Sequence, residues 1–245
     1  MPLQNFLAHL LNQLLAGPVT TLMDWIGHPP INPTAPIDGT FTMELVAFFI
    51  LLLFFILVRL TLQVEKPSVT QQLAEMTHEF VINQTEPIIG KKYTVYLPFL
   101  AALLLFVLAN NLVGLIPDVD TPTSSPVVPL GLALLTFAYY HWQGLKEHKF
   151  RYVKQFLGPL WWLAPLMLPI ELVSHLARVL SLTIRLFANM FASDLLILIF
   201  FALFPLALPV VFILLHLGVS LIQAYVFMLL ATIYVGSAVA HEHRN

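Results

Sequence analysis

Apolar residues in this chain do not alternate with polar ones. They gather into blocks about as long as a membrane crossing, separated by short polar or proline-containing breaks. Phe41 to Leu62 is the first block, Tyr93 to Ile116 the second and Val127 to Trp142 a shorter third. Two longer runs follow, Pro169 to Phe204 and Pro209 to Val239, joined by the PLALP link Pro205 to Pro209; the first of these arms extends back as a helical segment to residue 159. Between the first two blocks, residues 67–90 interleave Gln71, Glu75, His78 and Glu79 with Leu73, Met76, Phe80 and Ile88. That spacing predicts an amphipathic helix, lying in a membrane interface or docked on another subunit. The N-terminal stretch MPLQNFLAHLLNQLLAG lacks the basic start and clear cleavage site of a signal peptide, and predicts a short interfacial helix over 1–17. The proline-rich Pro29 to Gly39 cannot continue it.

At 1.5 Å per residue the two last runs are about 54 Å and about 46 Å long, against a hydrocarbon core of about 30 Å. They therefore predict a strongly tilted hairpin, or helices that kink or run out into the interfaces. The expected fold is an all-α integral membrane protein, one domain over 1–245, with about five crossings and one interfacial helix. Composition agrees: 59% of residues are hydrophobic and 10% charged, with a mean hydropathy of +0.86, too few polar groups to cover a soluble globule. A net charge of -2 gives no reason to expect nucleic acid, and the lack of cysteine excludes disulfides, thiolate metal sites and cysteine nucleophiles.

The cations orient the chain. Arg59, Lys66, Lys91 and Lys92 flank one polar stretch, Lys146, Lys149, Arg151 and Lys154 fill another, and Arg244 ends the sequence. The opposite connections carry only acids, Asp24 and Asp38 before the first block and Asp118 and Asp120 after the second. Positive residues mark the cytoplasmic side. The N-terminus is thus expected outside and the C-terminus inside.

Only Arg178 and Arg185 remain within apolar sequence. A guanidinium at mid-membrane costs at least about 2.5 kcal/mol and is expected to face protein or water. On a regular helix, Glu171, Ser174, Arg178, Ser181 and Asn189 fall within about 40° of Arg185, while Asp194 lies about 180° away. The helix therefore carries two polar surfaces. In the last run His216 and Gln223 share a face with Ser220, and folding about the link brings His216 level with Asp194 and Gln223 level with Arg185. A carboxylate and an imidazole at one depth are suited to passing protons. An arginine stays protonated, so its role is electrostatic: it favours ionisation of a neighbouring carboxyl group and repels a passing cation.

Ser181-Leu182-Thr183-Ile184-Arg185-Leu186-Phe187-Ala188-Asn189-Met190, with Glu171, His216, Gln223 and Asn111 to Pro117, resembles subunit a of the F-type ATP synthase. The resemblance covers nearly the whole chain. It implies a proton-translocating stator subunit in a bacterial plasma membrane, working with a ring of c subunits and the b subunits of the peripheral stalk, and coupled to ATP synthesis without being catalytic itself. It also implies that Arg185 faces the ring carboxylates and separates two half-channels. The outer route falls on Asn189, Asp194, His216 and Gln223 and the inner-side acid on Glu171; Ser181 sits on the arginine's surface. The chain departs from many bacterial relatives in having Asp194 for glutamate and Ala188 and Ser193 for glycine. Protons are favoured over sodium.

Simpler roles exist for each residue. Arg185 could pair structurally with Glu171 or Asp194, His216 could be a packed core histidine, Glu171 and Arg178 could snorkel at a helix end, and Asn189 and Gln223 could be interhelical hydrogen-bond glue. His78, His141, His148, His175, His241 and His243 read as interfacial groups and not as metal ligands, nothing points to a cofactor, and Trp161 and Trp162 read as an interface belt. A stand-alone secondary transporter would be expected to show internal repeats, which are not evident. An intramembrane hydrolase would need a nucleophile elbow or a His-Glu-x-x-His motif, and neither occurs.

Overall fold

The computed structural model describes residues 3–25, 27, 32–64, 66–90, 92–116, 119–149, 164–203 and 208–239. They form α1 (Leu3–Trp25), α2 (Gly39–Leu60), α3 (Val69–Ile89), α4 (Tyr93–Val113), a 3-10 turn (Pro122–Ser124), α5 (Val127–His148), α6 (Ala164–Leu203) and α7 (Leu208–Val239). There is no strand among the described residues. Helix starts follow local chemistry: the Asp38 carboxylate accepts from Gly39 N at 2.7 Å, and Ser68 Oγ accepts from Gln71 N at 3.3 Å. Gly90, at φ 79°, closes α3 with a backbone conformation that a side chain would strain.

Five helical stretches are long and apolar enough to cross a membrane: Leu3–Trp25, Gly39–Leu60, Tyr93–Val113, Met167–Leu203 and Pro209–Val239. The expected third block is not among them. Its helix, α5, instead runs on from Trp142 to His148, because Gln143 to His148 contains no helix breaker except Gly144, while Tyr139 to Gln143 dilute its hydropathy. It is still 22 residues long. The N-terminal helix is also longer than 1–17, reaching Trp25 through Pro18.

Length and hydropathy would let α1 cross the membrane, yet its polar contacts keep it at one end of the bundle. Asn12 Nδ2 donates to Ile37 O at 3.0 Å and Asn12 Oδ1 accepts from Ile37 N at 2.9 Å. Gln4 Oε1 accepts from Asp120 N at 3.0 Å. Gln4 and Asn12 lie about 12 Å apart along the helix, and both reach the end where α2 begins. This part of α1 therefore lies across that end and does not run down the side of α2.

The core lies among α4, α5, α6 and α7. Leu100, Leu104 and Val107 of α4, Val179, Leu182, Leu186 and Met190 of α6, and Ala224, Phe227, Met228, Ala231 and Val235 of α7 are buried. They recur at three- and four-residue steps, so each helix turns one stripe inward. Alanines on α7 let its backbone approach closely. Near the link Phe200 stacks on Phe212 with ring centroids 4.1 Å apart. Residues 205–207 of the link lie outside the described residues, as do Trp161 and Trp162, the basic loop after Lys149, and the C-terminal Arg244. Helix α3 packs on α4 and α7, with Val81 and Thr85 fully buried and Tyr225 Oη donating to Gln84 Oε1 at 3.1 Å. It leaves Leu73, Met76 and Phe80 exposed. At the end of the bundle opposite to α1's contacts, Lys92 Nζ donates to Glu147 Oε1, joining the start of α4 to the last turn of α5.

Candidate functional site

Three polar groups line the α6–α7 hairpin. The first sits at the end where α1 is anchored. Asp194 Oδ1 accepts from Thr121 Oγ1 at 2.8 Å and lies 3.4 Å from His216 Nδ1. Ser193 Oγ is 2.9 Å from the same Nδ1, and His216 Nε2 is 3.2 Å from Asn111 O. A carbonyl can only accept, so Nε2 carries a hydrogen and Nδ1 of the neutral ring accepts from Ser193. On protonation Nδ1–H can turn to Asp194. The ring is fully buried, and its geometry places Nδ1 between the Ser193 hydroxyl and the Asp194 carboxylate.

Asn111 holds this group together. Its carbonyl is free to accept because it belongs to the last turn of α4, where no further helical N–H follows. Its side chain accepts from Thr123 Oγ1 at 2.6 Å and donates to Ser220 O at 3.4 Å. The 3-10 turn is thereby fixed between α4 and α6. Gly114 is required at its position because a Cβ there would collide with Thr121 Oγ1, the hydroxyl that donates to Asp194. One oxygen of the carboxylate, Asp194 Oδ2, is buried without a protein partner among the described residues.

The second group is in the middle of the hairpin. Asn189 Nδ2 donates to Gln223 Oε1 at 2.8 Å, and the buried Gln223 Nε2 has no partner among the described residues. Gln223 thus meets α6 one turn beyond Arg185 and not level with it, since the helices pair Ser193 and Asp194 with His216 and Asn189 with Gln223. Arg185 donates weakly to Ser181 Oγ at 3.4 Å, and among the described residues no carboxylate pairs with it. It is half-buried, beside the exposed Ser181, Ile184, Ala188 and Asn189. Asp194 points the other way, toward Thr121 and His216. The two polar surfaces of α6 are thus separate in the fold.

The third group is at the far end of α6. Glu171 Oε1 lies 3.2 Å from His175 Nε2, and His175 Nδ1 lies 2.8 Å from Tyr140 Oη. Arg178 stands over the Tyr234 ring, 5.4 Å from its centroid. His175 is buried, its ring filling the space between α5 and α6. Glu171 therefore pairs with an imidazole and Arg178 with an aromatic face, and neither is bound to Arg185.

Sequence reasoning placed Asp194 beside His216, but it did not find Thr121, Thr123, Ser193 or Tyr140 as members of these groups. Their partners are 12 to 73 residues away in the chain, and no helical periodicity reports such contacts. His175 did carry a signal, its position four residues after Glu171.

Comparison with known proteins adds an independent finding. The profile of the ATP synthase A chain family matches residues 21–236. The chain is 49% identical to ATP synthase subunit a of Koribacter versatilis (strain Ellin345) over 244 residues, 99% of this chain and 100% of that one. It is 42% identical to ATP synthase subunit a of Solibacter usitatus (strain Ellin6076), over 96% of this chain and 100% of that one. It is 44% identical to ATP synthase subunit a of Geobacter sulfurreducens (strain ATCC 51573 / DSM 12127 / PCA), over 72% of this chain and 77% of that one.

Proposed function

The chain belongs to the ATP synthase A chain family, and from that premise we propose that it is the proton-conducting stator subunit of the membrane sector. In this reading it presents two offset half-channels to a ring of c subunits, with Arg185 between them, and is held by the b subunits of a peripheral stalk. It is a multi-pass protein of the bacterial plasma membrane, with its N-terminus outside and its cytoplasmic side marked by Lys92 and Lys146, at the Glu171 end.

The observation that carries this reading is that Arg185 has no carboxylate partner among the described residues. A permanent cation in a membrane helix needs an anion or water. Glu171 is committed to His175 and Asp194 to Thr121 and His216, so the partner of Arg185 comes from another chain across the open face of α6. A ring carboxylate fits that place. As each ring carboxyl arrives, the guanidinium favours its ionised form and so releases its proton, and the same charge blocks a direct passage of protons past the ring.

Asp194, His216, Asn189 and Gln223 form the outer route. Among the described residues Asp194 Oδ2 and Gln223 Nε2 have no partner: the carboxylate oxygen can accept from water or take up the passing proton, and the amide N–H can donate to water. An imidazole beside the carboxylate suits protons; a sodium site would instead be built of oxygen ligands. Glu171 forms the entrance of the inner route.

The test is Arg185→Ala in the complete complex reconstituted into liposomes. ATP-driven proton pumping is expected to vanish, with passive proton leak through the membrane sector rising. Pumping at the normal rate would remove the stator reading.

A further inference from the structure

We propose that Glu171, His175 and Tyr140 form a proton relay that carries protons between the Glu171 end of α6 and a small pocket lined by α5, α6 and α7. The relay rests on the stator reading above and extends its inner route to residues that nothing else here assigns to it.

The geometry has three parts. First, both imidazole nitrogens of His175 are engaged by groups that can exchange protons, Nε2 at 3.2 Å from Glu171 Oε1 and Nδ1 at 2.8 Å from Tyr140 Oη. Second, the relay runs from water to the interior, since the Glu171 side chain is 42% exposed and that of His175 8%, while Tyr140 is buried. Third, Tyr140 borders a pocket of about 10 Å³ that is also lined by Thr136, Arg178, Leu182 and Tyr234. That volume suits about one water. Leu182 is within one helical turn of Arg185 in the sequence.

The imidazole has two neutral arrangements here, and they differ by one proton on the relay. In one, Nε2–H donates to the Glu171 carboxylate and Tyr140 donates to Nδ1. In the other, protonated Glu171 donates to Nε2, and Nδ1–H donates to Tyr140 Oη, whose own hydrogen points into the pocket. Passing from the second to the first breaks the Glu171 O–H and forms Nε2–H; it breaks Nδ1–H and forms a new O–H on Tyr140, and the old Tyr140 proton leaves to the pocket. One proton leaves to the pocket; Glu171 ends as the carboxylate and is reprotonated from the water that its exposed side chain meets, and the imidazole ends as the Nε2–H tautomer. The other titratable or charged groups around this ring, among the described residues, are Arg178 on α6, His141 on α5 with its ring centroid 4.7 Å away, and Tyr234 on α7 behind Arg178. Arg178 and Glu171 flank the imidazole with opposite charges.

The complete complex is reconstituted with its catalytic sector outward, so that ATP hydrolysis draws protons from the bath through the Glu171 end. Pumping is read with a lumenal pH dye, per assembled complex, at bath pH from about 6 to about 9, a range over which the proton supply to the exposed Glu171 falls steeply. His175→Gln keeps hydrogen-bonding capacity but cannot titrate. It is expected to slow pumping on the order of tenfold and to flatten the dependence on bath pH. Tyr140→Phe removes one hydroxyl and is expected to slow pumping too, and the double variant to be no slower than His175→Gln alone. Full rate with an unchanged pH profile in His175→Gln overturns the relay, as does an equal slowing at every pH, which a packing role would give. If His175→Gln does not assemble, Tyr140→Phe decides by the same two criteria. Arg185→Ala is measured alongside: pumping in that variant would bring down the stator reading, whereas its loss together with normal His175→Gln pumping would remove only the relay.

Discussion

Glycine 114 shows how a residue without a side chain can control an acid it never touches. A methyl group there would occupy the place of Thr121 Oγ1, and the hydroxyl would have to leave Asp194. Gly114 has φ −66°, which alanine adopts freely, so on backbone grounds alone the change would be neutral or stabilising; here overpacking costs about 1–3 kcal/mol. Gly114→Ala is therefore expected to slow proton uptake from the outer side on the order of tenfold, measured as ATP synthesis driven by an imposed proton gradient. Thr121→Val should reproduce the defect, and adding it to Gly114→Ala should bring little further loss, because both act on one hydrogen bond. Synthesis at the normal rate in Gly114→Ala would show that Thr121 does not position Asp194. Asp194 and His216 were readable from the sequence because charges in an apolar helix stand out; Thr121 and Gly114 were not, because neither is unusual in a turn.

Helices differ in how far pattern alone defined them. Apolar blocks located α2, α4, α6 and α7 closely, since a crossing demands a run of hydrocarbon side chains. Helix α5 was underestimated because its last turns lie beyond the apolar run. Helix α1 is the instructive case. Its hydropathy permits a crossing, but two buried amides, Gln4 and Asn12, tie it across one end of the bundle. Hydrophobic periodicity could not reveal that, because the partners are backbone groups. Asn12→Ala would leave Ile37 N and O without their partner, a cost of about 1–3 kcal/mol for a buried group. Amide hydrogen exchange at residues 37–42 is expected to quicken in that variant within the intact complex, while exchange in α7 stays unchanged. Unaltered exchange at Ile37 would mean that Asn12 does not hold α1 in place.

The molecule as a whole has an orientation that can be tested on a clean background, because it contains no cysteine. Val64 and Trp25 are 98% and 89% exposed. Val64→Cys should react with a membrane-impermeant maleimide only in inverted vesicles, and Trp25→Cys only in right-side-out ones; the reverse pattern would invert the proposed topology. The distribution of the outer group along the chain has one more consequence, for biogenesis. Its parts come from α4, the 3-10 turn, α6 and α7, and the imidazole arrives last, bonding to Asn111 and Ser193. A ribosome that has delivered only the first six helices has placed Arg185 and Asp194 in the bilayer but has not yet supplied His216 or Gln223. On the proposed reading, the nascent protein therefore spends its insertion without an outer route for protons.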